Sequence, residues 1–244
     1  MSTTLTARAT APTQYSCRSQ LYRRHLNARA RFEEVAGSAV VAEYAEAGDE
    51  VHQATHLALA DLSTLPRTGF KGAGAAGWLE QQGAQVPSSP NQATRQKDGS
   101  LIARLSIEEL LILSDLIADS TLPAVLQDRW SLESTKRVYS LPRGDRHCWF
   151  ALIGDHASTT LAKVCGVDMR THKFAECQIA QTSLARVNAI ILRNDLATTP
   201  CFFILSDVSS TEYLWDALLD AMVEFHGSPV GIAALRTLQA APGR

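Results

Sequence analysis

The chain has 244 residues, 45% of them hydrophobic, with a formal charge of −2 at pH 7. That length supports a real core in one domain or two small lobes without covalent staples. No run approaches the ~20 apolar residues that cross a bilayer, and the polar, basic start does not read as a secretory signal.

The charge is unevenly placed. Residues 1–32 hold six arginines (Arg8, Arg18, Arg23, Arg24, Arg29, Arg31) and no acid, which leaves −8 for residues 33–244. A mitochondrial transit peptide has this composition, but the preferred reading is a basic arm that docks on an acidic partner. The acidic remainder argues against nucleic acid. Cys17, Cys148, Cys165, Cys177 and Cys201 are odd in number and include no C-x-x-C, so they read as free thiols of a reducing, cytoplasmic compartment.

In chain order, residues 1–50 read as a basic, weakly ordered or helical extension, with a helix over 19–34 and helical composition through 33–60. A first lobe spans 51–118. It opens with a strand over 67–71, followed by a helix over 73–82 that stops at Gly83. The loop 84–98 is polar and rich in Pro and Ser. A strand over 100–105 leads to "SIEELLIL" (106–113), where Ser106 and Glu109 spell a capping box while the apolar run suits a buried strand.

A second lobe spans 119–244. It contains a helix over 119–129, strands over 136–141 and 147–153, and a helix over 155–165. Two strands within 177–193 turn near 185–188, and 201–206 is the strongest strand. Ser209 and Glu212 spell a capping box before an apolar stripe of Leu214, Trp215, Leu218, Leu219, Met222 and Phe225, which predicts a helix over 210–226. A short helix over 231–239 follows. Helices and strands do not alternate one for one, so the expected class is α+β: two pseudo-repeated lobes of antiparallel sheet with packed helices.

"FKGAGAAGW" contains Gly72, Gly74 and Gly77 in the G-x-G-x-x-G spacing of a dinucleotide turn. Its context fails that reading. Pro66, Arg67 and Lys71 do not suit a strand buried on both faces, and a loop lies where the ribose-binding acid should follow a second strand. The stretch instead parallels "ALIGDHASTTLAKVCG" (151–166). Each has a strand ending in glycine (Gly72, Gly154), a small residue three positions on (Ala75, Ala157), and a helix closed by glycine (Gly83, Gly166). This predicts a twice-used unit whose small residues serve close packing.

Four stretches then carry a family likeness: "SLIARLSIEELLIL", "WFALIGDHASTTLAKVCGVDM", "KFAECQIAQTSLARVNAIILR" and "FFILSDVSSTEYLWDALLDAMVEF". In this order they resemble the gamma subunit of heterotetrameric sarcosine oxidase. "ALADLSTLPRTGFKGAGAAGWL" resembles the opening of the wider aminomethyltransferase (glycine-cleavage T-protein) superfamily, and N-methylglutamate dehydrogenase has a corresponding subunit. "SIEELL" departs from the family's Gly-Pro turn, and Asp155–His156 replaces its Pro-x.

The resemblance implies a T-protein-like folate-binding fold and a strand at "SIEELLIL". It also implies a non-catalytic subunit of a flavoprotein complex that oxidatively demethylates a secondary N-methyl amine, with one-carbon transfer to tetrahydrofolate. On that reading this chain carries no cofactor. FAD, FMN, NAD, zinc and tetrahydrofolate belong to partner chains, above all a large flavoprotein (alpha-type) subunit, with no nucleic acid or membrane involved. The alternative is a stand-alone folate-dependent aminomethyltransferase-like protein or folate-binding regulator.

A folate site in this chain requires a carboxylate for the pterin and a cation for the glutamate tail. Asp61, Asp168 and Asp207 are the candidates for the first, Arg186 and Arg193 for the second. None sits in a specific motif: Asp61 suits a turn cap and Asp207 a helix start. His147, Cys148, His156, Cys165, His172 and Cys177 lack the close pairing of zinc ligands, and His147 and Cys148 point to opposite faces of a strand. No catalytic or metal residue is therefore assigned. Trp78, Trp149 and Trp215 read as core, with Trp78 the candidate interface anchor because three small residues precede it.

Overall fold

The computed structural model describes residues 9–44, 49–133 and 136–241. The N-terminal part is β1 (Ala9–Thr10), α1 (Tyr22–Asn27), β2 (Ala30–Val35) and β3 (Ser38–Tyr44), with the strands paired in the order β1-β2-β3. The helices expected over 19–34 and 33–60 are thus reduced to α1 and a second short one, α2 (Glu50–His56). A hairpin takes most of the remainder. Its turn, Ala36–Gly37, has φ of +49° and +74°, the left-handed pair that suits the twist of a tight hairpin. The Ala/Glu composition favours helix only weakly, and burial of Phe32, Val35, Val40 and Val41 overrides it.

After β4 (Ala58–Asp61) come β5 (Arg67–Lys71), α3 (Ala75–Gln81), β6 (Gln92–Arg95), β7 (Leu101–Arg104), β8 (Glu109–Leu113), α4 (Leu122–Arg129) and β9 (Tyr139–Ser140). Then follow β10 (His147–Ile153), α5 (Ala157–Val164), β11 (Ile179–Leu184), β12 (Val187–Arg193), β13 (Cys201–Asp207), α6 (Thr211–Met222), β14 (Ser228–Pro229) and α7 (Ile232–Ala240). "SIEELLIL" is turn then strand: the Ser106 hydroxyl accepts from the Glu108 amide at 3.2 Å, a local turn and not a helix cap. Ser209 likewise caps nothing. Its amide and hydroxyl donate to Asp207, and α6 starts two residues later.

Two sheets carry these strands. The larger runs β11-β12-β13-β10-β4-β14 and the smaller β6-β7-β8-β5-β9. All their pairings are antiparallel except β14 on β4. Alternation fixes the layers. Along β10, Trp149, Ala151 and Ile153 enter a core with Leu111 and Leu113 of β8, Ala58 and Ala60 of β4, and α7. Cys148, Phe150 and Leu152 face the other way, onto α5 and α6. On the outer face of the smaller sheet, Phe70, Ile102, Leu110 and Ile112 pack on α3 and α4. The order is helices, sheet, shared core, sheet, helices.

The expected repeat is present and interlocked. Gly72 and Gly154, 82 residues apart, have φ of +124° and +120°. Each carbonyl accepts from the amide three residues on (Ala75 at 2.9 Å, Ala157 at 3.0 Å), starting α3 and α5. The strand preceding each unit pairs with the other: β4 joins β10, and β9 joins β5. The lobes expected at 51–118 and 119–244 therefore exchange strands across that boundary. A second reciprocal link ties the sheets' far edges, from the Ala93 amide to the Cys177 carbonyl (2.7 Å) and from the Ile179 amide to the Asn91 carbonyl (2.9 Å).

At both glycines the exchanged segment crosses the turn. A Cβ on Gly72 would meet the Arg137 carbonyl oxygen at 2.1 Å, and one on Gly154 the His56 carbonyl oxygen at 2.5 Å. Gly77 faces open space. Gly72→Ala and Gly154→Ala should each destabilise the fold by at least ~1–3 kcal/mol from the forced φ alone. Gly77→Ala should stabilise it by about 0.5–1 kcal/mol through helix propensity. Thermal melts of the three variants check this; equal behaviour of Gly72 and Gly77 would contradict the close-approach account.

Candidate functional site

The turn at residues 72–77 holds protein and not phosphate. The Gly74 amide donates to Arg137 carbonyl (3.2 Å), as the His156 amide does to His56 carbonyl (3.2 Å) in the second unit. β5 lies between two antiparallel neighbours, so the parallel strand of a dinucleotide turn is not there. Arg67 does sit in a central strand, 7% exposed. It does so because all five guanidinium N–H groups find backbone carbonyls: Nε on Arg143 (3.0 Å), Nη1 on Ser63 (2.8 Å) and Leu65 (3.0 Å), Nη2 on Gly144 (2.8 Å) and His147. Burial pushes this guanidinium down to about 10. Arg67 staples the β4–β5 connection to the β9–β10 connection.

Asp61, the first carboxylate candidate, is fully enclosed. Its Oδ2 accepts from the Ser19 hydroxyl and from His25 Nε2 (3.0 Å), and its Oδ1 from the Ser63 amide (2.9 Å). His25 Nδ1 lies 2.9 Å from the Tyr44 hydroxyl. Burial pushes the Asp61 carboxyl up, but the hydrogen bonds from His25, Ser19 and Ser63 outweigh it and hold Asp61 below its ordinary value. The turn-cap role holds, and Asp61 also anchors α1 and β3. Ser19, His25 and Tyr44 carry no local sequence signal for this role, because the partners lie up to 42 residues apart.

The other candidates scatter. Arg193 is buried, forked onto Asp195 (2.9 and 2.6 Å) and donating to the Thr171 (2.8 Å) and Phe174 (2.6 Å) carbonyls. Asp168 is a surface residue held below its ordinary range by hydrogen bonds from Arg170. Arg186 occupies the β11–β12 turn at φ +69°. His156 stands at the N-cap position of α5 without a side-chain capping bond, stacks on Phe225 (ring centroids 4.7 Å apart) and meets His56 in a T-shaped contact. Cys165 closes α5, His172 is exposed, and Cys177 bridges the sheets. No group of three or more metal-capable side chains converges among the described residues. Trp149 packs on Phe203 and Trp215 on Phe150 and His25, both in the core. Trp78 is half-buried against Phe70.

One opening does draw chain-distant polar groups together. On the larger sheet, a cleft of about 580 Å³ is lined by His147, Thr182, Ser183, Asn188, Ser206 and Asp207 among others. A depression of about 330 Å³ adjoins it at His147 and Asp207 and adds Arg143 and Arg146. His147 and Asp207 are cross-strand neighbours. Burial, then Arg143 and Arg67, push the His147 imidazole down to about 4, so it is neutral at pH 7. Arg143 Nη1 lies 3.3 Å from His147 Nε2, and a guanidinium only donates, so Nε2 is the acceptor and Nδ1 carries the proton. Arg143 is also paired with Glu109. On the opposite face, burial pushes the Cys148 thiol up to about 11, so it is not a nucleophile at neutral pH. The cleft is thus lined by neutral polar groups, three apolar side chains (Ala189, Ile190, Leu205) and one carboxylate, Asp207, with Arg143 and Arg146 in the adjoining depression.

The basic N-terminal segment finds acid within its own chain. Glu212, Asp216 and Asp220 recur every fourth residue along α6, and Glu224 continues the spacing in the 3-10 turn that follows it. Such a ladder repels itself. Arg24 of α1 pairs with Glu212 and Asp216, and Lys163 with Glu224 at 2.9 Å.

The family model of the GCVT N-terminal domain matches residues 21–243. A chain of the heterotetrameric sarcosine oxidase from Corynebacterium sp. U-96, solved in complex with pyrrole 2-carboxylate, superimposes with a TM-score of 0.62. The two are 21% identical, and the match covers 85% of this chain and 95% of that one. The glycine cleavage system aminomethyltransferase T from Bartonella henselae gives a TM-score of 0.69 at 19% identity, over 92% of this chain and 62% of that one. The chain thus spans less than two thirds of that aminomethyltransferase. None of the curated proteins matches the sequence.

Asp61→Ala should leave His25 and Ser19 unpaired in the core and cost about 3–5 kcal/mol. Because the folded carboxyl is held low, its contribution is complete above the unfolded range near 4 and is lost as pH falls through the folded value. Wild-type stability should therefore drop on acidification below about pH 4 while Asp61→Asn, already without the charge, drops less. Chemical denaturation across pH checks it; parallel curves would rule Asp61 out as the anchor.

Proposed function

The chain belongs to the GCVT N-terminal domain family, and from that membership we propose that it is a gamma-type, non-catalytic subunit of a flavoprotein complex that oxidatively demethylates a secondary N-methyl amine. The observation that carries this reading is the nearly end-to-end match to one chain of a heterotetrameric sarcosine oxidase. In this reading the redox chemistry, the zinc and the one-carbon transfer to tetrahydrofolate reside on partner chains. The large flavoprotein subunit is the principal contact, and the complex works in the cytoplasm.

The side chains support that division of labour. The carboxylate and cation that a folate site requires do not come together among the candidates. Asp61 and Arg193 are enclosed by the chain's own atoms, Asp168 is paired on the surface, and Arg186 sits at a hairpin turn. These four residues do not converge on a folate-sized opening; Asp207 alone of the candidates lines the open cleft. The interlobe space is filled by packed side chains, including Trp149, Phe203 and Leu205. What this chain offers is a stapled scaffold with an open polar cleft.

The second reading, a stand-alone folate-binding protein, draws on that cleft of about 580 Å³, which is large enough for a small ligand. Two measurements separate the readings. Tagged chain purified from its own cells should bring down a yellow, flavin-absorbing complex with N-methyl amine oxidation activity. Calorimetry of the isolated chain with tetrahydrofolate should be silent. Colourless, monodisperse chain from the same cells, with micromolar folate binding, would replace the first reading by the second.

A further inference from the structure

Strand register sets the row of side chains at the lip of the polar cleft. His147 of β10 stands opposite Asp207 of β13. Ser206 opposite Ala189 places Asp207 beside Asn188 of β12, and Asn188 stands opposite Ser183 of β11. Directly opposite residues of an antiparallel pair share a face. One row therefore carries an imidazole, a carboxylate, an amide and a hydroxyl across four strands. Two residues further in, the same face turns apolar with Trp149, Leu205 and Ile190. The cleft thus has a polar lip over an apolar floor of Ile190 and Leu205.

The two ends of this row lack opposite things. Asp207 Oδ1 accepts from the Ser209 amide (2.9 Å) and hydroxyl (2.6 Å). Among the described residues nothing donates to its Oδ2, and the Asn188 and Ser183 side chains have no partner. The Ser209 bonds hold the Asp207 carboxyl below its ordinary value, so it is charged at pH 7. At His147 the shortage is of acceptors. The buried side-chain nitrogens without a partner among the described residues are Arg143 Nε, His147 Nδ1 and Trp149 Nε1. All are N–H donors, His147 Nδ1 because Nε2 is taken by Arg143. Buried donors seldom go unpaired, and here they crowd into residues 143–149. Arg143, Arg67 and Arg146 bear on the His147 ring, with Asp207 opposing them. Glu109 offsets Arg143 and Asp145 shares the depression, while the exposed Arg146 guanidinium has no partner among the described residues. The His147 end is short of acceptors and holds more cations than anions; the Asp207 end offers a free carboxylate oxygen.

We propose that the cleft binds a small α-amino acid in its zwitterionic form. The ammonium N–H groups donate to Asp207 Oδ2, flanked by Asn188 and Ser183. The carboxylate lies toward His147 and Arg146 and brings that end the acceptor oxygen it lacks, directly or through an ordered water. Any methyl or side chain rests on Ile190 and Leu205. The spacing suits this class: cross-strand neighbours such as His147 and Asp207 have Cα atoms about 4.5–5.5 Å apart, a reach that an amine and a carboxylate on one carbon can bridge. A ligand with one charge satisfies one end only. An anion alone meets Asp207, and a cation alone meets the arginines.

The site is built from this chain's own groups and goes beyond the subunit reading, so either can fail alone. Isotope-labelled full-length chain is titrated with glycine, N-methylglycine, methylamine and acetate while its amide and imidazole NMR signals are followed. Glycine and N-methylglycine should bind saturably, with Kd on the order of 1 mM, and shift His147, Ser183, Asn188 and Asp207. Methylamine and acetate, each with one of the two charges, should bind roughly tenfold more weakly. Asp207→Asn keeps an Oδ1 acceptor for Ser209 and should weaken glycine binding roughly tenfold, the worth of a charged hydrogen bond. Asp168→Asn removes a surface carboxylate elsewhere and should change nothing. Absence of saturable shifts, or glycine binding to Asp207→Asn as to wild type, overturns the proposal and leaves the subunit reading standing. Acetate bound as tightly as glycine makes this an anion site and overturns the zwitterion. Tetrahydrofolate that displaces glycine at micromolar concentration gives the cleft to the folate reading and overturns the amino-acid assignment.

Discussion

Two places where backbone lies directly on backbone hold the architecture together. At Gly72 and Gly154 the chain bends with positive φ under a carbonyl that belongs to the other unit's leading segment. Any side chain there would push the crossing segment away, and with it the exchanged strand that follows, β9 in one case and β4 in the other. Glycine is needed for both reasons at once, conformation and space. Because each sheet contains a strand that enters it through such a crossing, neither lobe can complete its sheet without the other. The shared core, the reciprocal Asn91–Cys177 link and the Arg67 staple all act on lobes already joined in this way.

The buried charges follow from that interlocking. Two connections, β4–β5 and β9–β10, converge beside the start of β10, and their carbonyls must be paired where water is excluded. Arg67 satisfies five of these needs with one planar cation. Asp61 does the converse for donors, accepting from a hydroxyl, an imidazole and an amide, and so ties the N-terminal sheet to β4. Groups that in isolation look like ligand-binding candidates are thereby committed to the scaffold. The polar cleft at His147 and Asp207 lies apart from these committed groups, on the surface of the larger sheet.

The basic N-terminal segment shows the same economy. Its expected acidic partner turns out, for Arg24, to be the chain's own last long helix, where a like-charge ladder would otherwise oppose helix formation. Exposed pairs of this kind contribute little each. Their value is in setting where α1 lies, which in turn delivers His25 to Asp61 and Trp215.

Much of the fold could be read from the residues alone. Alternation along 147–153 and 201–207, the apolar stripe of α6, the helix stops and the 82-residue echo between the two glycine turns are short-range patterns, and local periodicity records which face is buried. The strand at 109–113 follows from family likeness and not from its local capping signal, which forms a turn in the structure. Three things were settled only in three dimensions. The N-terminal hairpin was hidden because Ala and Glu favour helix slightly and a weak preference yields to burial. Arg67 could be central only because distant carbonyls arrive to meet it. The exchange of β4 and β9, and with it the Asp61–His25–Tyr44 chain, depends on contacts between residues tens of positions apart. Such contacts leave no periodic trace in a sequence, since they are fixed by which surfaces meet when the two lobes close on each other.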